Sequence, residues 1–177
     1  MKNMKHNIVY ILFAIVLVAC RPTPSAYRGL PKTYVTAYEQ IYGHCYDSIA
    51  QAVVSLDLYS AGLELNKENH IVGTGYNLYL SDIFVPDSLL EEGTYRSDST
   101  GAAFTFLSGK DYEGYPFGAY ILNIENDQVK QIQLLDSGNF VYRNDSLLFT
   151  LYYKNVYGSR ATYQCTYSGE LIPWLKK

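Results

Sequence analysis

The chain has 177 residues, with 14 Lys+Arg against 17 Asp+Glu and a formal net charge of -3. That length supports one domain with a real core and is short for two. Hydrophobic residues at 48% exclude a disordered chain, and a chain without basic excess is not built for nucleic acid.

The first segment carries Lys2 and Lys5, then an uncharged run from Ile8 to Ala19. Twelve residues are too few to span a bilayer and fit the apolar region of a signal peptide. The run ends Leu17-Val18-Ala19-Cys20, which resembles the bacterial lipobox. The resemblance implies a signal peptide over residues 1–19 and cleavage before Cys20. It also implies a diacylglyceryl group on the Cys20 sulfur and an acyl chain such as palmitate on its amine. Two or more acyl chains anchor a protein stably. Cleavage removes two Lys and no acid, which leaves 12 basic and 17 acidic residues, or -5. Such a body gains little from anionic lipid, so the lipid is the expected membrane partner. Residues 20–32 hold three of the six Pro and read as an extended tether.

Residues 33–177 are expected to form a single all-β domain. The chain has 19 Tyr beside 7 Phe and 1 Trp, a content that favours strands. Tyr34, Tyr38, Tyr42 and Tyr46 recur every fourth residue, a spacing open to helix or strand, and the Val and Thr around them favour strand. Residues 49–60 alternate, with Val54, Leu56 and Leu58 on one face. Residues 72–85 place Tyr76, Leu78 and Leu80 together. Asn126-Asp127 and Asn144-Asp145 each lie between two alternating runs, and both residue types tolerate left-handed backbone. Asp136-Ser137-Gly138-Asn139 and Gly158-Ser159 read as two further turns. Nine or ten strands joined by short turns predict an antiparallel meander that closes into a barrel. A two-sheet sandwich satisfies the same periodicity.

Several short motifs recur in order. Gly75-Tyr76-Asn77-Leu78-Tyr79-Leu80 precedes Leu90-Glu91-Glu92-Gly93-Thr94-Tyr95. Pro116-Phe117-Gly118-Ala119-Tyr120, Ser137-Gly138-Asn139-Phe140-Val141 and Tyr167-Ser168-Gly169-Glu170-Leu171 follow. This order resembles small all-β lipoprotein domains of Bacteroidetes over roughly residues 50–172. Glu91 stands where their pattern has Pro. The resemblance implies an all-β fold and a cell-envelope location, and no activity. Surface-export signals of such lipoproteins resemble acidic clusters just after the lipidated Cys. Here the tether opens on Arg21 and the first acid is Glu39, so the periplasmic face of the outer membrane is expected.

No catalytic constellation is legible. His44 beside Cys45 and near Asp47 are sequence neighbours, whereas catalytic partners meet in space. His44, His70, Cys45 and Cys165 lack zinc-ligand spacing. Asp82, Asp87, Asp98, Asp111, Glu113 and Asp127 fall near turns without a calcium-loop pattern. No metal and no cofactor is therefore expected. Cys45 and Cys165 lie near the first and last strands. In an oxidising compartment they either bridge or stand as two small buried thiols. Tyr112, Tyr115, Tyr152, Tyr153 and Tyr157 fall in or beside loops. They are the candidate ligand-binding aromatics, against the ordinary use of Tyr in strands. Ser48, Ser88, Ser99 and Ser146 each follow Asp and precede an aliphatic residue or Thr. This resembles the O-glycosylation sequon of exported Bacteroidetes proteins. Four copies occur where composition predicts roughly 0.4, and Asp-Ser turn chemistry is the competing explanation. The expectation is a lipid-anchored, non-enzymatic binding domain. Its ligand would be a glycan, a small apolar molecule or an envelope protein. The alternative is a structural or assembly subunit of an outer-membrane complex.

Overall fold

The computed structural model describes residues 29–174, and among them it is all-β with no helix. The strands, in chain order, begin with β1 (Thr36–Gly43), β2 (Ala52–Tyr59), β3 (Leu63–Leu65), β4 (Ile71–Gly73) and β5 (Gly75–Val85). Next come β6 (Gly93–Ser97), β7 (Thr105–Phe106), β8 (Lys110–Tyr112), β9 (Tyr115–Phe117) and β10 (Ala119–Glu125). The last are β11 (Gln128–Leu134), β12 (Ser137–Arg143), β13 (Ser146–Lys154), β14 (Arg160–Ser168) and β15 (Ile172–Pro173).

Eleven strands make one sheet, in the order β14-β13-β12-β6-β7-β5-β2-β1-β15, with β10 and β11 branching from β5. The sheet curls through 224° into an open half-barrel. The expected simple meander and full closure are therefore both corrected. β6 runs parallel to β7, and β15 runs parallel to β1. β12 leaves β11 and pairs with β6 and β13 instead. The reason is packing: Phe140 of β12 stacks on Tyr95 of β6, with ring centroids 4.6 Å apart and planes 4° from parallel.

The inner face of the curl is an aromatic core. Phe140 also packs on Phe149 at 5.3 Å and Phe106 at 5.7 Å. Leu56, Leu58, Leu78, Leu80 and Ile121 are fully buried beside them. A smaller core lies on the outer face, where Tyr59 and Ile124 pack with Leu63, Leu65 and Ile71 of the β3–β4 hairpin. β2 is consequently covered on both faces, and not only at Val54, Leu56 and Leu58.

Turn chemistry matches the expectation at three places. Asn126 and Asp127 have φ of 50° and 64°, and Asn144 and Asp145 have 49° and 53°. Two consecutive left-handed residues are what a two-residue type I′ hairpin requires. In the β13–β14 loop, Asn155 Oδ1 accepts from the backbone N–H of Tyr157 and of Ser159, both at 3.0 Å, ahead of Gly158. The fourth expected turn is absent: Ser137 to Asn139 belong to β12. Gly138 has φ of 151°, and a Cβ there would lie 2.5 Å from the Thr150 carbonyl oxygen. Glycine serves close strand approach at this position.

The β14 margin of the curl is tied to the stretch ahead of β1 along one seam. The Tyr34 N–H donates to Thr166 O at 2.9 Å, and the Thr166 N–H donates to Lys32 O at 3.0 Å. The Tyr163 hydroxyl lies 2.6 Å from Pro31 O and 3.0 Å from the Tyr34 hydroxyl. Body contacts thus start at Pro31, inside the stretch read as tether. Removing the Tyr163 hydroxyl leaves buried polar groups unpaired, a cost of about 1–3 kcal/mol. Tyr163→Phe is expected to lower the urea midpoint accordingly with an unchanged slope; an unchanged midpoint would show the seam to be dispensable.

Candidate functional site

β5 is eleven residues of mostly apolar sequence broken by Ser81-Asp82. At that pair the register with β2 slips, and Asp82 takes φ of 49°. Asp tolerates left-handed backbone better than most residues, so a bulge forms here. Before the bulge β5 pairs with β10; after it, β5 pairs with β7. The sheet therefore forks at the bulge. The Ser81 N–H donates to Gly118 O at 3.1 Å, and the Gly118 N–H donates to Ser81 Oγ at 3.1 Å.

A cleft of about 390 Å³ opens beside the fork. Tyr79 and Tyr120, from paired positions of β5 and β10, form one wall, with ring centroids 5.2 Å apart. Tyr42 at the end of β1 and Tyr46 in the following loop form another, with Cys45 beside them. Asp82 is buried. Its Oδ1 accepts from the Tyr46 hydroxyl at 2.5 Å, and its Oδ2 accepts from Ser81 Oγ at 2.8 Å. Phe117 and Pro116 of β9 complete the rim.

Three of the phenols, Tyr46, Tyr79 and Tyr120, are held neutral. The hydrogen bond to Asp82, then burial, raises Tyr46 well above the usual tyrosine range. Burial, then a hydrogen bond with Tyr42, raises Tyr79. Burial and the nearby Asp57 charge push Tyr120 up to about 12. The cleft thus presents aromatic faces, hydroxyls that donate and accept, and one acid. These are groups for recognition by stacking and hydrogen bonding.

The aromatics expected to bind ligand lie elsewhere. Tyr112 and Tyr115 stand at the tip of the β8–β9 hairpin, 70% and 76% exposed, and Tyr157 is 83% exposed in the β13–β14 loop. Tyr152 carries the Arg160 guanidinium 4.0 Å above its ring, and Tyr153 is half-buried beside it. None of the five lines the tyrosine cleft. Ser48, Ser88 and Ser99 are exposed in bends or turns. Ser146 is half-buried, with its Oγ 3.3 Å from Asn144 O and 3.1 Å from Ser168 Oγ. Cys20 lies outside the described residues.

Of the two alternatives for the cysteines, the bridge is not formed: Cys45 and Cys165 are both free. Cys165 sits in β14 against Tyr34, ahead of β1, while Cys45 follows β1. The eight residues of β1 separate the two sites. At about 3.3 Å per residue, that strand far exceeds the ~7 Å that a disulfide spans. Cys45 is exposed, so the reading of two buried thiols holds only for Cys165, whose thiol burial pushes up to about 12. No group of three His, Cys, Asp or Glu suited to a metal occurs among the described residues.

Tyr42, Tyr46, Tyr79, Tyr120 and Asp82 were not singled out as a site by sequence. The available signal was the polar Ser81-Asp82 pair inside an apolar strand, which marks a bulge. No family model matches the chain, and neither a curated protein nor a solved structure matches it.

Asp57 pairs across the sheet with Tyr79 and is half-buried. Burial raises it to about 6, although the Tyr59 hydroxyl at 2.7 Å and the Asn77 amide favour its charged form. The folded chain therefore holds this proton more tightly than the unfolded chain. The stability linked to it is complete below about pH 4 and is lost as pH rises through about 6. Asp57→Asn has no such loss. Its stability relative to the parent should rise by on the order of 2 kcal/mol between pH 4 and pH 7. Urea midpoints at the two pH values measure this, and a pH-independent difference would contradict it.

Proposed function

We propose that the chain is a lipid-anchored glycan-binding domain of the bacterial outer membrane, without catalytic activity of its own. The observation that carries the binding reading is the tyrosine cleft. Sugars offer an apolar ring face and a hydroxyl edge, and the cleft offers phenol faces, phenol hydroxyls and the Asp82 carboxylate. Its volume of about 390 Å³ lies within the roughly 300–1,000 Å³ typical of small-ligand sites. The half-barrel, with its margins bridged at Thr33–Thr166, is the architecture we assign in preference to two packed sheets.

Support for the envelope location comes from Leu17-Val18-Ala19-Cys20 and the motif order given above, with the periplasmic face favoured by the lack of an acidic cluster after Cys20. The assembly-subunit reading has one observation in its favour. Among the described residues β11 pairs as a strand only with β10, and it carries Val129 and Ile132 at 52% and 42% exposure. An envelope-protein partner would add there as a strand.

Binding is tested by presenting the mature lipoprotein in detergent micelles to an array of mono- to hexasaccharides. Tyr42→Ala should weaken the strongest signal about tenfold, or ~1.4 kcal/mol. Tyr157→Ala should leave it unchanged. A blank array, or loss with Tyr157→Ala alone, sinks the glycan reading.

The anchor is tested separately. Cys20→Ser should move the protein from the membrane to the soluble fraction of fractionated cells. Normal processing and retention of the Ser variant would remove the lipoprotein assignment.

A further inference from the structure

The tyrosine cleft has a neighbour. A second depression, of about 550 Å³, is lined by Ser97, Asp98, Ser108, Lys110, Asp136 and Ser137 among others. Phe117 lines both. The chemistry on its two sides differs. One side is aromatic, with four phenols and a buried acid. The other is rich in hydroxyls and charge. Asp98 Oδ1 accepts from the Thr100 N–H at 2.7 Å, Ser97 Oγ accepts from the Gly138 N–H at 3.0 Å, and Ser137 Oγ accepts from Arg160 at 3.3 Å. Lys110 and Asp136 form no ion pair among the described residues. Both are exposed.

Phe117 is set firmly between the two. It ends β9, and Gly118 follows with φ of 78°. A Cβ on Gly118 would lie 2.1 Å from Ser108 O, and one on Gly109 would lie 2.1 Å from Ala119 O. The base of the β8–β9 hairpin is thus closed by two glycines that allow backbone contact. The Gly109 N–H donates to Leu135 O at 2.7 Å, and Gly118 exchanges bonds with Ser81 at the bulge. The hairpin is therefore tied to β5 and to the β11–β12 link, and it carries Phe117, 42% exposed, as a fixed ridge.

We infer that the two depressions are subsites of one groove, and that its ligand is an oligosaccharide chain crossing Phe117. This rests on the glycan reading above. The tyrosine subsite takes a ring by its faces. Phe117 supports the next ring. The Ser108, Lys110 and Asp136 subsite takes the following units by their hydroxyl edges. Volume agrees with this. The tyrosine cleft alone, at about 390 Å³, is near the lower end of the ~300–1,000 Å³ range, and the pair together approach its upper end.

The test is calorimetry of the mature lipoprotein in detergent micelles. The probes are oligomers of one to six units of β-1,4-linked N-acetylglucosamine, β-1,4-linked glucose and α-1,4-linked glucose. In at least one series, affinity should rise tenfold or more between the shortest binding oligomer and the longest. The exposed double variant Lys110→Ser/Asp136→Ser should abolish that rise and leave the shortest oligomer's affinity unchanged. Phe117→Ala should flatten it as well. If long oligomers bind no tighter than short ones, or the double variant retains the full rise, the single-groove inference is overturned. Tyr42→Ala would then still weaken short oligomers, and the glycan reading would stand. Failure of all three series overturns the inference, and the array decides the glycan reading independently.

Discussion

The Tyr163 hydroxyl and the two main-chain bonds beside it hold the β14 margin of the curled sheet against the stretch ahead of β1. A sheet that curls but does not close has two free margins, and free margins invite pairing with other chains. Here the stretch before β1 lies against β14 through Tyr34, Thr166 and Lys32. β15 then takes the remaining outer side of β1, with the Trp174 N–H donating to Glu39 O at 2.7 Å. Both chain ends of the body thus converge on β1. Contacts so distant in sequence carry a high loop-closure cost and slow folding. β1 in turn sets the cleft. Its far end delivers Tyr42, and the loop beyond delivers Cys45 and Tyr46 across the fork of β5. A weakened seam would therefore loosen one wall of the site from a distance.

The other wall depends on a local failure of the ladder. A regular β5 would carry a single neighbour along its whole outer side. The bulge at Ser81-Asp82 redirects the strand, and two separate branches attach on either side of it. Where the branches part, no strand fills the space, and the cleft occupies it. The polar pair is satisfied within the bulge: Asp82 accepts from Tyr46 and Ser81, and Ser81 accepts from Gly118. That arrangement holds two strands and one loop in register around a recess. Bulges are often found beside binding sites for this reason.

Local chemistry was legible in the sequence and long-range pairing was not. Asn126-Asp127 and Asn144-Asp145 announce hairpins because few residues accept two successive left-handed conformations. Asp136-Ser137-Gly138 carries the same turn vocabulary but sits at the start of a strand. What decides it is the Thr150 carbonyl opposite Gly138, a neighbour that composition does not reveal. The departure of β12 from β11 depends on Phe140 meeting Tyr95, two residues 45 positions apart. The site was hidden for the same reason. Tyr42 and Tyr46 were visible as a periodicity, but Tyr79 and Tyr120 come from other strands, and only the fork brings the four together.

The high Tyr content resolves into two physical uses. A buried phenol needs an acceptor, and the strand ends supply carbonyls. Tyr95 donates to Glu91 O at 3.0 Å, Tyr167 to Glu170 O at 2.7 Å, and Tyr163 to Pro31 O at 2.6 Å. In each case the ring fills the core and the hydroxyl reaches a main-chain group in a segment outside the strands. Phe would fill the same space and leave the carbonyl unpaired. Among the described residues no buried side-chain polar atom lacks a partner, so this use is complete. The cleft phenols differ in their partners. Tyr42 and Tyr79 bond to each other, and Tyr46 bonds to the Asp82 side chain. Such bonds can be shared with an incoming hydroxyl, because a phenol both donates and accepts. Tyr95 and Tyr167 rest on main-chain carbonyls, whereas Tyr42, Tyr46 and Tyr79 rest on side chains at an open cleft, unlike the side-chain bonds of Tyr59 and Tyr34, which are buried in the body. In the proposed reading that freedom to exchange belongs to the cleft, whereas position in or beside loops points to Tyr112, Tyr115, Tyr152, Tyr153 and Tyr157.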